Sequence, residues 1–371
     1  MKKIIAALTT LIATIVGAGI LGIPYVTSQS GFLIGVINLI IVAAIITIIN
    51  LYLAEVGLRT KNNHQLAGYA GRYIGKKGKT LMFLAFFLGI QAALLAYLIA
   101  EGESISFILF NTTKYKLYTA IAFWSILFIL TNKGRKAFEK VEKISVSLIL
   151  ASILILTLTN ITKIKTSNLT TINLQHILTP FGVIFFAFLG FAAIPEVERI
   201  LANHKEKTKK TIITANAIIL ILYIIFTLIV VGTQGSTTSK IATLSLGKPF
   251  ILLGILTIFG ASLALSTALI DSFITDYALS KRKARIITLS PTLILFTVLI
   301  ILDKAIFTKI LALGGLISGS LTTILILMMI KKAKTKGNRK PEFSLPYSDI
   351  LAALIILLLI LATFLEIKAI F

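Results

Sequence analysis

The sequence predicts an all-α membrane protein with about eleven transmembrane helices. Hydrophobic residues make up 57% of the 371 residues, charged residues make up only 14%, and the mean hydropathy is +0.97. A soluble domain needs more polar surface than this composition supplies. Apolar stretches of spanning length also follow one another along the whole chain, at about 20 residues per crossing. We therefore expect residues 1–371 to form one membrane domain.

Charged or turn-rich connections separate the apolar stretches. The first stretch follows Met1-Lys2-Lys3, as in a signal peptide, but its apolar run continues through Tyr25 and therefore predicts a first span. The eleven predicted spans, numbered 1 to 11, are 4–26, 31–58, 80–109, 117–131, 139–160, 176–200, 208–232, 250–279, 285–302, 306–330 and 348–368.

The distribution of Lys and Arg predicts the orientation of these spans. With a cytoplasmic N-terminus, the cytoplasmic segments hold 28 of the 37 basic residues, and the remaining basic residues lie outside in ones and twos. This asymmetry is the one expected for a multi-pass protein of a cytoplasmic membrane, and it places the C-terminus outside. It also explains the net charge of +23 without nucleic acid, because dispersed basic residues face anionic lipid headgroups.

Catalytic and metal-binding chemistry find little support in the sequence. Cysteine is absent, so disulfides and thiolate chemistry are excluded. His64, His176 and His204 all fall in or beside polar connections, without the spacing of metal ligands. A membrane-embedded enzyme needs clustered ligands or a nucleophile with its base, and the sequence contains no such cluster. We expect no enzymatic activity and no cofactor beyond a coupling ion.

An internal repeat is the most informative pattern. Span 1 contains Gly19-Ile20-Leu21-Gly22-Ile23-Pro24 and span 6 contains Gly190-Phe191-Ala192-Ala193-Ile194-Pro195, both of the form G-x-x-x-I-P. The second segment lies five spans after the first, so the two segments enter the membrane from opposite sides. This indicates two inverted five-helix repeats, about 4–160 and 176–330, with an additional helix at about 348–368. The alternative is a chance match between residues that are common in membrane helices.

Glycine and proline in these segments weaken the helical hydrogen bonds. Freed backbone groups are tolerated in a membrane only where they line a cavity. A half-helix starting near Gly19 directs N–H groups at an anion, and the ends of the preceding half-helices offer carbonyl oxygens to a cation. A zwitterion satisfies both. Glu101 and Glu103 are the deepest acids, and Glu101 has either a gating or proton-linked role or a plain role in the outer vestibule.

At these residues the chain resembles the amino acid/polyamine/organocation superfamily with the LeuT-type fold. It is closest to the amino acid/auxin and aromatic amino acid permease branch. The resemblance is carried by four motifs, Val16-Gly17-Ala18-Gly19-Ile20-Leu21-Gly22-Ile23-Pro24-Tyr25, Phe188-Leu189-Gly190-Phe191-Ala192-Ala193-Ile194-Pro195-Glu196, Leu53-Ala54-Glu55-Val56, and Ala96-Tyr97 with Glu101-Gly102. Eleven spans are also typical of that branch.

The resemblance implies a substrate site at the two breaks. The substrate carboxylate is expected on the backbone of Gly17, Ala18 and Gly19. The amino group is expected at carbonyls around Ile15, Phe185 and Phe188. Phe191 is expected to wall the side-chain pocket, and Tyr97 to offer a pocket hydroxyl or to pack at an interface.

The resemblance is weaker for the coupling ion. The family's common sodium site maps to the carbonyls of Ala13 and Val16 and to the hydroxyl of Ser262, but Ala261 stands where a second hydroxyl is expected. Sodium requires about five or six oxygens, and Ser262 can instead bond to its own helix. The lysine of some proton-coupled relatives is also absent from 145–156 in span 5.

Together these features predict a secondary active transporter of neutral, apolar or aromatic, amino acids. It is expected to work by alternating access, coupled to protons or sodium. Its partners are expected to be an amino acid and the lipid bilayer. The alternative is a substrate-sensing membrane receptor or an exchanger on the same fold.

Overall fold

The computed structural model describes residues 2–62, 64–132, 147, 151 and 153–368, and within these ranges no residue forms a β-strand. The α-helices are, in chain order, α1 (Lys2–Ile15), α2 (Ile23–Ser30), α3 (Phe32–Leu58), α4 (Leu66–Ile74), α5 (Lys76–Phe110), α6 (Lys116–Leu130), α7 (Ile153–Lys163), α8 (Thr179–Phe188), α9 (Ile194–Ile200), α10 (Thr208–Gln234), α11 (Lys248–Tyr277), α12 (Lys281–Ile301), α13 (Phe307–Gly314), α14 (Ser320–Lys336) and α15 (Asp349–Lys368).

The chain is a multi-pass membrane protein. Within the described ranges, eight helical stretches are long and apolar enough to cross a bilayer, and Lys2–Ser30 makes a ninth span that is bent by 50°. Helix α6 is apolar but shorter, and most of the fifth predicted span, 139–160, lies outside the described residues. The total of eleven spans and the exact extent of the first repeat therefore stay predictions.

Two local features differ from the predicted elements. Helix α4 lies in the connection after span 2, because Leu66, Tyr69, Ala70 and Tyr73 form a buried face at helical spacing within only nine residues. Span 10 runs as α13, a π-helical turn at Gly315–Gly319 and α14, and the helix continues through its basic end to Lys336.

The two Gly- and Pro-containing segments interrupt the regular α-helix. After α1 ends at Ile15, a 3₁₀ turn covers Ala18–Leu21 and α2 starts at Ile23. After α8 ends at Phe188, a 3₁₀ turn covers Phe191–Ala193 and α9 starts at Ile194. Each matched proline, Pro24 and Pro195, lies in the first turn of the second helix. Proline is tolerated there because its missing N–H has no intrahelical acceptor.

The helices form two groups that contact each other at the first interruption and also where α13 packs on α8 and α14 packs on α3. Helices α1, α2, α3, α8, α9 and α10 pack on one another, while α5 packs on α4, α6, α11, α12, α13 and α14. The 3₁₀ turn at Ala18–Leu21 contacts both α8 from the first group and α11 from the second. The predicted site thus lies where the two groups meet.

A buried carboxylate fixes the connection between α14 and α15. The side chain of Glu55 near the end of α3 is fully buried. Its two oxygens are held by four groups at 2.8–3.0 Å, which are Arg59 Nε, Lys334 Nζ, Ser344 Oγ and the Leu345 backbone N–H. Because the connection 337–348 contributes two of these donors, Glu55 ties it to α3.

We expect Glu55→Gln to release this connection, because a neutral amide leaves two half-buried cations without their counter-charge. Breaking a buried ion pair from one side costs about 3–5 kcal/mol, and less where the remaining cations keep partial contact with water. The measurement is the rate of trypsin cleavage after Arg339 in the purified protein. Asp349→Asn is the matched control, because its ion pair with Lys331 is exposed and such pairs contribute little to stability. Equal cleavage rates in both variants would contradict the expectation.

Candidate functional site

The two interrupted segments lie side by side and run antiparallel. Three glycines lie at the contact between the segments, and a Cβ built on each of them falls close to the other segment. The Cβ at Gly190 overlaps with Ile15, the one at Gly19 lies 2.8 Å from Ala187 Cα, and the one at Gly22 lies 3.0 Å from Val183 Cγ1. As the residue number rises in the first segment it falls in the second. The structure therefore joins the two sequence motifs into one buried site.

Gly19 has no room for a side chain. A Cβ at this position lies 2.8 Å from the Cα of Ala187 and 2.9 Å from its Cβ. The clashing atoms belong to the backbone and to a methyl group, neither of which can rotate away. Glycine is required here because the backbones of the two segments approach so closely.

Tyr97 of α5 reaches the first interruption. It is buried, and its hydroxyl oxygen lies 2.9 Å from a Cβ built at Gly17. The N–H of Gly17 donates to the carbonyl of Ile15 at 2.9 Å. One of the three backbone amides expected to hold a carboxylate thus has a protein partner in this structure.

A second tyrosine, Tyr223 of α10, joins the ends of the two interrupted helices. Its hydroxyl lies 2.8 Å from the carbonyl oxygen of Ala187 and 3.2 Å from that of Ile15. The residue is fully buried, and its ring packs edge-on against Phe188 with a centroid distance of 5.0 Å. Because a hydroxyl carries one proton, it donates fully to only one carbonyl at a time. The shorter distance favours Ala187.

The three predicted phenylalanines are all buried but occupy different surroundings. Phe188 packs on Tyr223, as described above. The Phe185 ring stacks on Phe181 at 5.8 Å and lies against Gly319 of the π-helical turn. Phe191 lies in the 3₁₀ turn after the second interruption and is 6% exposed. Of the three phenylalanines, Phe188 therefore lies nearest to the contact between the two helix ends, because its ring packs on Tyr223.

The residues expected at an ion site are only partly brought together. Ala261, which precedes Ser262 in α11, lies 3.9 Å from a Cβ built at Gly17. This places the predicted part of α11 next to the first interruption. The Ser262 hydroxyl donates to the carbonyl of Ile258 in its own helix at 2.8 Å. Val16 continues the helical pattern of α1 through its bond to Ile12, and Ala13 lies one turn earlier.

A small cavity touches the first interruption. Its volume is about 40 Å³, and it is lined by Ile20 and Leu21 together with Phe226 of α10 and Thr257 of α11. A water molecule occupies about 30 Å³ in the liquid. An amino acid is far larger, so binding one here requires the surrounding helices to move apart. A second cavity, of about 380 Å³, lies between α5, α6 and α11 and is lined by apolar side chains and one threonine.

Tyr223 and Ala187 are the site residues that sequence reasoning missed. Tyr223 stands in the run Ile221-Leu222-Tyr223-Ile224-Ile225, which is apolar on all faces of the helix. A buried tyrosine hydroxyl usually finds a hydrogen-bonding partner. That rule flags the residue without showing which helix it contacts, so no pattern in the sequence links it to the two interruptions.

We expect Gly17→Ala to lower substrate transport by about tenfold, equal to about 1.4 kcal/mol, because the new Cβ lies 2.9 Å from the Tyr97 hydroxyl oxygen. Adding Tyr97→Phe removes that oxygen while the ring atom Cζ stays at 3.9 Å. The double variant should therefore recover part of the loss when the single and double variants are compared in an uptake assay. A double variant no better than Gly17→Ala would show that the clash is not the cause.

Tyr223→Phe should destabilise the protein by about 1–3 kcal/mol, because it leaves a buried carbonyl without a donor. The ring contact with Phe188 is kept. The readouts are the midpoint of thermal unfolding in detergent and the rate of uptake. Tyr118→Phe is the control, since Tyr118 is 70% exposed. If Tyr223→Phe matches this control in both readouts, the hydroxyl does not hold the helix ends.

Comparison with known proteins gives the same assignment as the motifs. A model of the tryptophan/tyrosine permease family matches residues 1–243. Glutamine transporter 2 of Aliivibrio fischeri is 27% identical over 241 residues, which cover 62% of this chain and 61% of that protein. Tyrosine-specific transport system 1 of Haemophilus influenzae is 25% identical over 245 residues, covering 65% and 60%. The chain thus spans about three fifths of the length of these relatives.

The fold is shared along almost the whole chain with a solved structure. The crystal structure of MhsT in complex with L-phenylalanine matches with a TM-score of 0.70 and 14% sequence identity, covering 96% of this chain and 98% of that chain. This similarity confirms the LeuT-type fold expected from the resemblance. With the family match over residues 1–243, it leads to one conclusion: the chain belongs to the tryptophan/tyrosine permease family.

Proposed function

We propose that this protein is a secondary active transporter of neutral amino acids. The observation that carries the proposal is the antiparallel contact of the two interrupted segments, which buries backbone amides and carbonyls together at Gly19 and Ala187. In lipid such groups need partners inside the protein. A zwitterion supplies one charge for the amides and one for the carbonyls, at about 1.5–3 kcal/mol per charge-assisted bond.

The proposed site holds the two charged ends of the amino acid differently. The carboxylate takes the amides of Gly17, Ala18 and Gly19, and the amide of Gly17 gives up its bond to Ile15. The ammonium meets the carbonyl ends near Ile15, Phe185 and Phe188. Because Tyr223 already donates to Ala187, the carbonyl of Ile15 is the better acceptor for the ammonium.

The neighbours of the site favour a neutral side chain. The side chains around the glycines of both interruptions are aliphatic, aromatic or hydroxyl-bearing, among them Tyr97, Ala261 and Leu311. Phe191 walls the side-chain pocket in this proposal. The two relatives are named for glutamine and for tyrosine, which are both neutral amino acids. An apolar or aromatic amino acid is the substrate class that we infer for this chain.

In this proposal, transport occurs by alternating access between the two helix groups. One group moves against the other around the fixed site, which opens it to one side and then to the other. The proposed topology has eleven spans within one domain in the cytoplasmic membrane, inverted repeats at about 4–160 and 176–330, the N-terminus inside and the C-terminus outside. Sodium at Ala13, Val16 and Ser262 and a proton are the two candidates for the coupling ion.

The deciding experiment is uptake into proteoliposomes that contain the purified protein. The panel contains labelled tyrosine, tryptophan, phenylalanine, glutamine, lysine and glutamate, with sodium and pH gradients imposed separately. We expect the neutral members to enter and the charged ones to stay outside. Uptake of none of them, under either gradient or by exchange, would reject the proposal.

Gly19→Val provides a structural test in the same assay. The variant should abolish uptake, because a side chain at this position collides with Ala187. Gly71→Ala in α4 is the matched glycine control, since its Cβ meets Lys79 at an ordinary 3.4 Å. Uptake by Gly19→Val at the level of this control would contradict the proposed site.

A further inference from the structure

Glu101 of α5 is a buried acid without a partner. The residue has no exposed surface, and neither carboxyl oxygen has a hydrogen-bonding partner among the described residues. It lies nine residues before α5 ends at Phe110, or about 14 Å along the helix axis. Buried ionisable side chains in a membrane are costly to keep and usually functional. Its counterpart two residues on, Glu103, is 20% exposed and pairs with Lys116 at 3.6 Å.

The helix places Glu101 on the same face as Tyr97. Residues four apart lie one above the other on an α-helix. Tyr97 contacts Gly17 and Ala18, where the proposed function puts the substrate carboxylate. Helix α6 packs against this part of α5, where Thr119 Oγ1 donates to the carbonyl of Gly102 at 2.7 Å. Glu101 thus lies one helical turn from the tyrosine that reaches the first interruption.

Among the described residues, the charged groups on the elements around this part of α5 interact with other partners. Lys116 of α6 and Lys240 before α11 interact electrostatically with Glu103 and not with Glu101. Lys309 of α13 interacts electrostatically with Glu366 of α15. The remaining titratable groups of α11 and α12 stand towards the ends of those helices, and the tyrosines near the site are Tyr97 and Tyr223.

We propose that Glu101 is the proton-binding residue that couples transport to a proton gradient. A lone carboxyl in a dry environment cannot hold sodium, which requires about five or six oxygens. A proton requires only one, because it forms a covalent O–H bond. The proton comes from the outer aqueous phase, binds one carboxylate oxygen, and leaves to cytoplasmic water when the site opens inward.

The coupling between substrate binding and proton binding is electrostatic. It rests on the position that the proposed function gives to the substrate carboxylate. The substrate carboxylate at Gly17–Gly19 lies beside Tyr97 in the proposed site, and Tyr97 is one helical turn from Glu101 along α5. Two like charges in such a site disfavour each other, so the neutral acid favours substrate binding and the bound substrate favours protonation. Such coupling is reciprocal. Substrate and proton are therefore carried together.

The test compares wild type, Glu101→Gln and Glu103→Gln in proteoliposomes, with a mixture of labelled tyrosine, phenylalanine and glutamine. Two quantities are measured, accumulation driven by a pH gradient and counterflow exchange without a gradient. We expect Glu101→Gln to lose gradient-driven accumulation and keep counterflow, while Glu103→Gln keeps both. Glu101→Asp, which preserves the titratable group, should keep coupled accumulation.

The outcomes separate this proposal from the proposed function. Counterflow in wild type without accumulation under a pH gradient would overturn the role of Glu101 and leave amino acid transport standing. Absence of counterflow in wild type would reject the transport function itself. Accumulation by Glu101→Gln at the wild-type level, or equal loss of accumulation and counterflow, would also overturn the coupling role.

A spectroscopic measurement tests the same residue without transport. Infrared spectra of the purified proteins in detergent report the carbonyl band of a neutral carboxylic acid. We expect one component of this band to be lost in Glu101→Gln and kept in Glu103→Gln. An unchanged band intensity in Glu101→Gln would overturn the proposal.

Discussion

Peptide groups inside a bilayer have no water to bond with, and this constraint shapes the interrupted helices. Wherever α1 and α8 stop, carbonyl oxygens are freed at depth, and each must find a donor within the protein. The Tyr223 hydroxyl serves the oxygens of Ala187 and Ile15. The amide of Gly17 turns back to Ile15. One tyrosine hydroxyl from α10 thus contacts the backbone ends of both interrupted helices.

The same constraint explains which features were predictable from sequence. Gly19, Gly22 and Pro24, and their counterparts in the second segment, act directly on the backbone, so their spacing marked the interruptions to within a few residues. Long apolar runs gave the bounds of α3 and α10 for a similar reason. Tyr223 was missed because its role depends on the rotation of α10 in the bundle. Helix α4 was missed because nine residues make a weak periodic signal.

Two acids of this chain show how differently a buried carboxyl can be accommodated. Glu55 is surrounded by two cations, a hydroxyl and a backbone amide, so its charge is balanced and the neighbouring connection is anchored. Glu101 has no such surroundings among the described residues. The positions of the two acids in the sequence suggested different depths in the membrane. The donors around Glu55 could not be predicted in the same way, because most of them come from a segment nearly 300 residues away.

The antiparallel pairing of the two interruptions has a further consequence. When matched segments face each other in opposite directions, exchanging their conformations converts a form open to one side into a similar form open to the other. Two such forms contain almost the same contacts and differ little in free energy. A small difference in ligand affinity then suffices to change their populations. In the proposed mechanism Gly19 permits this close pairing, since a side chain there would collide with Ala187.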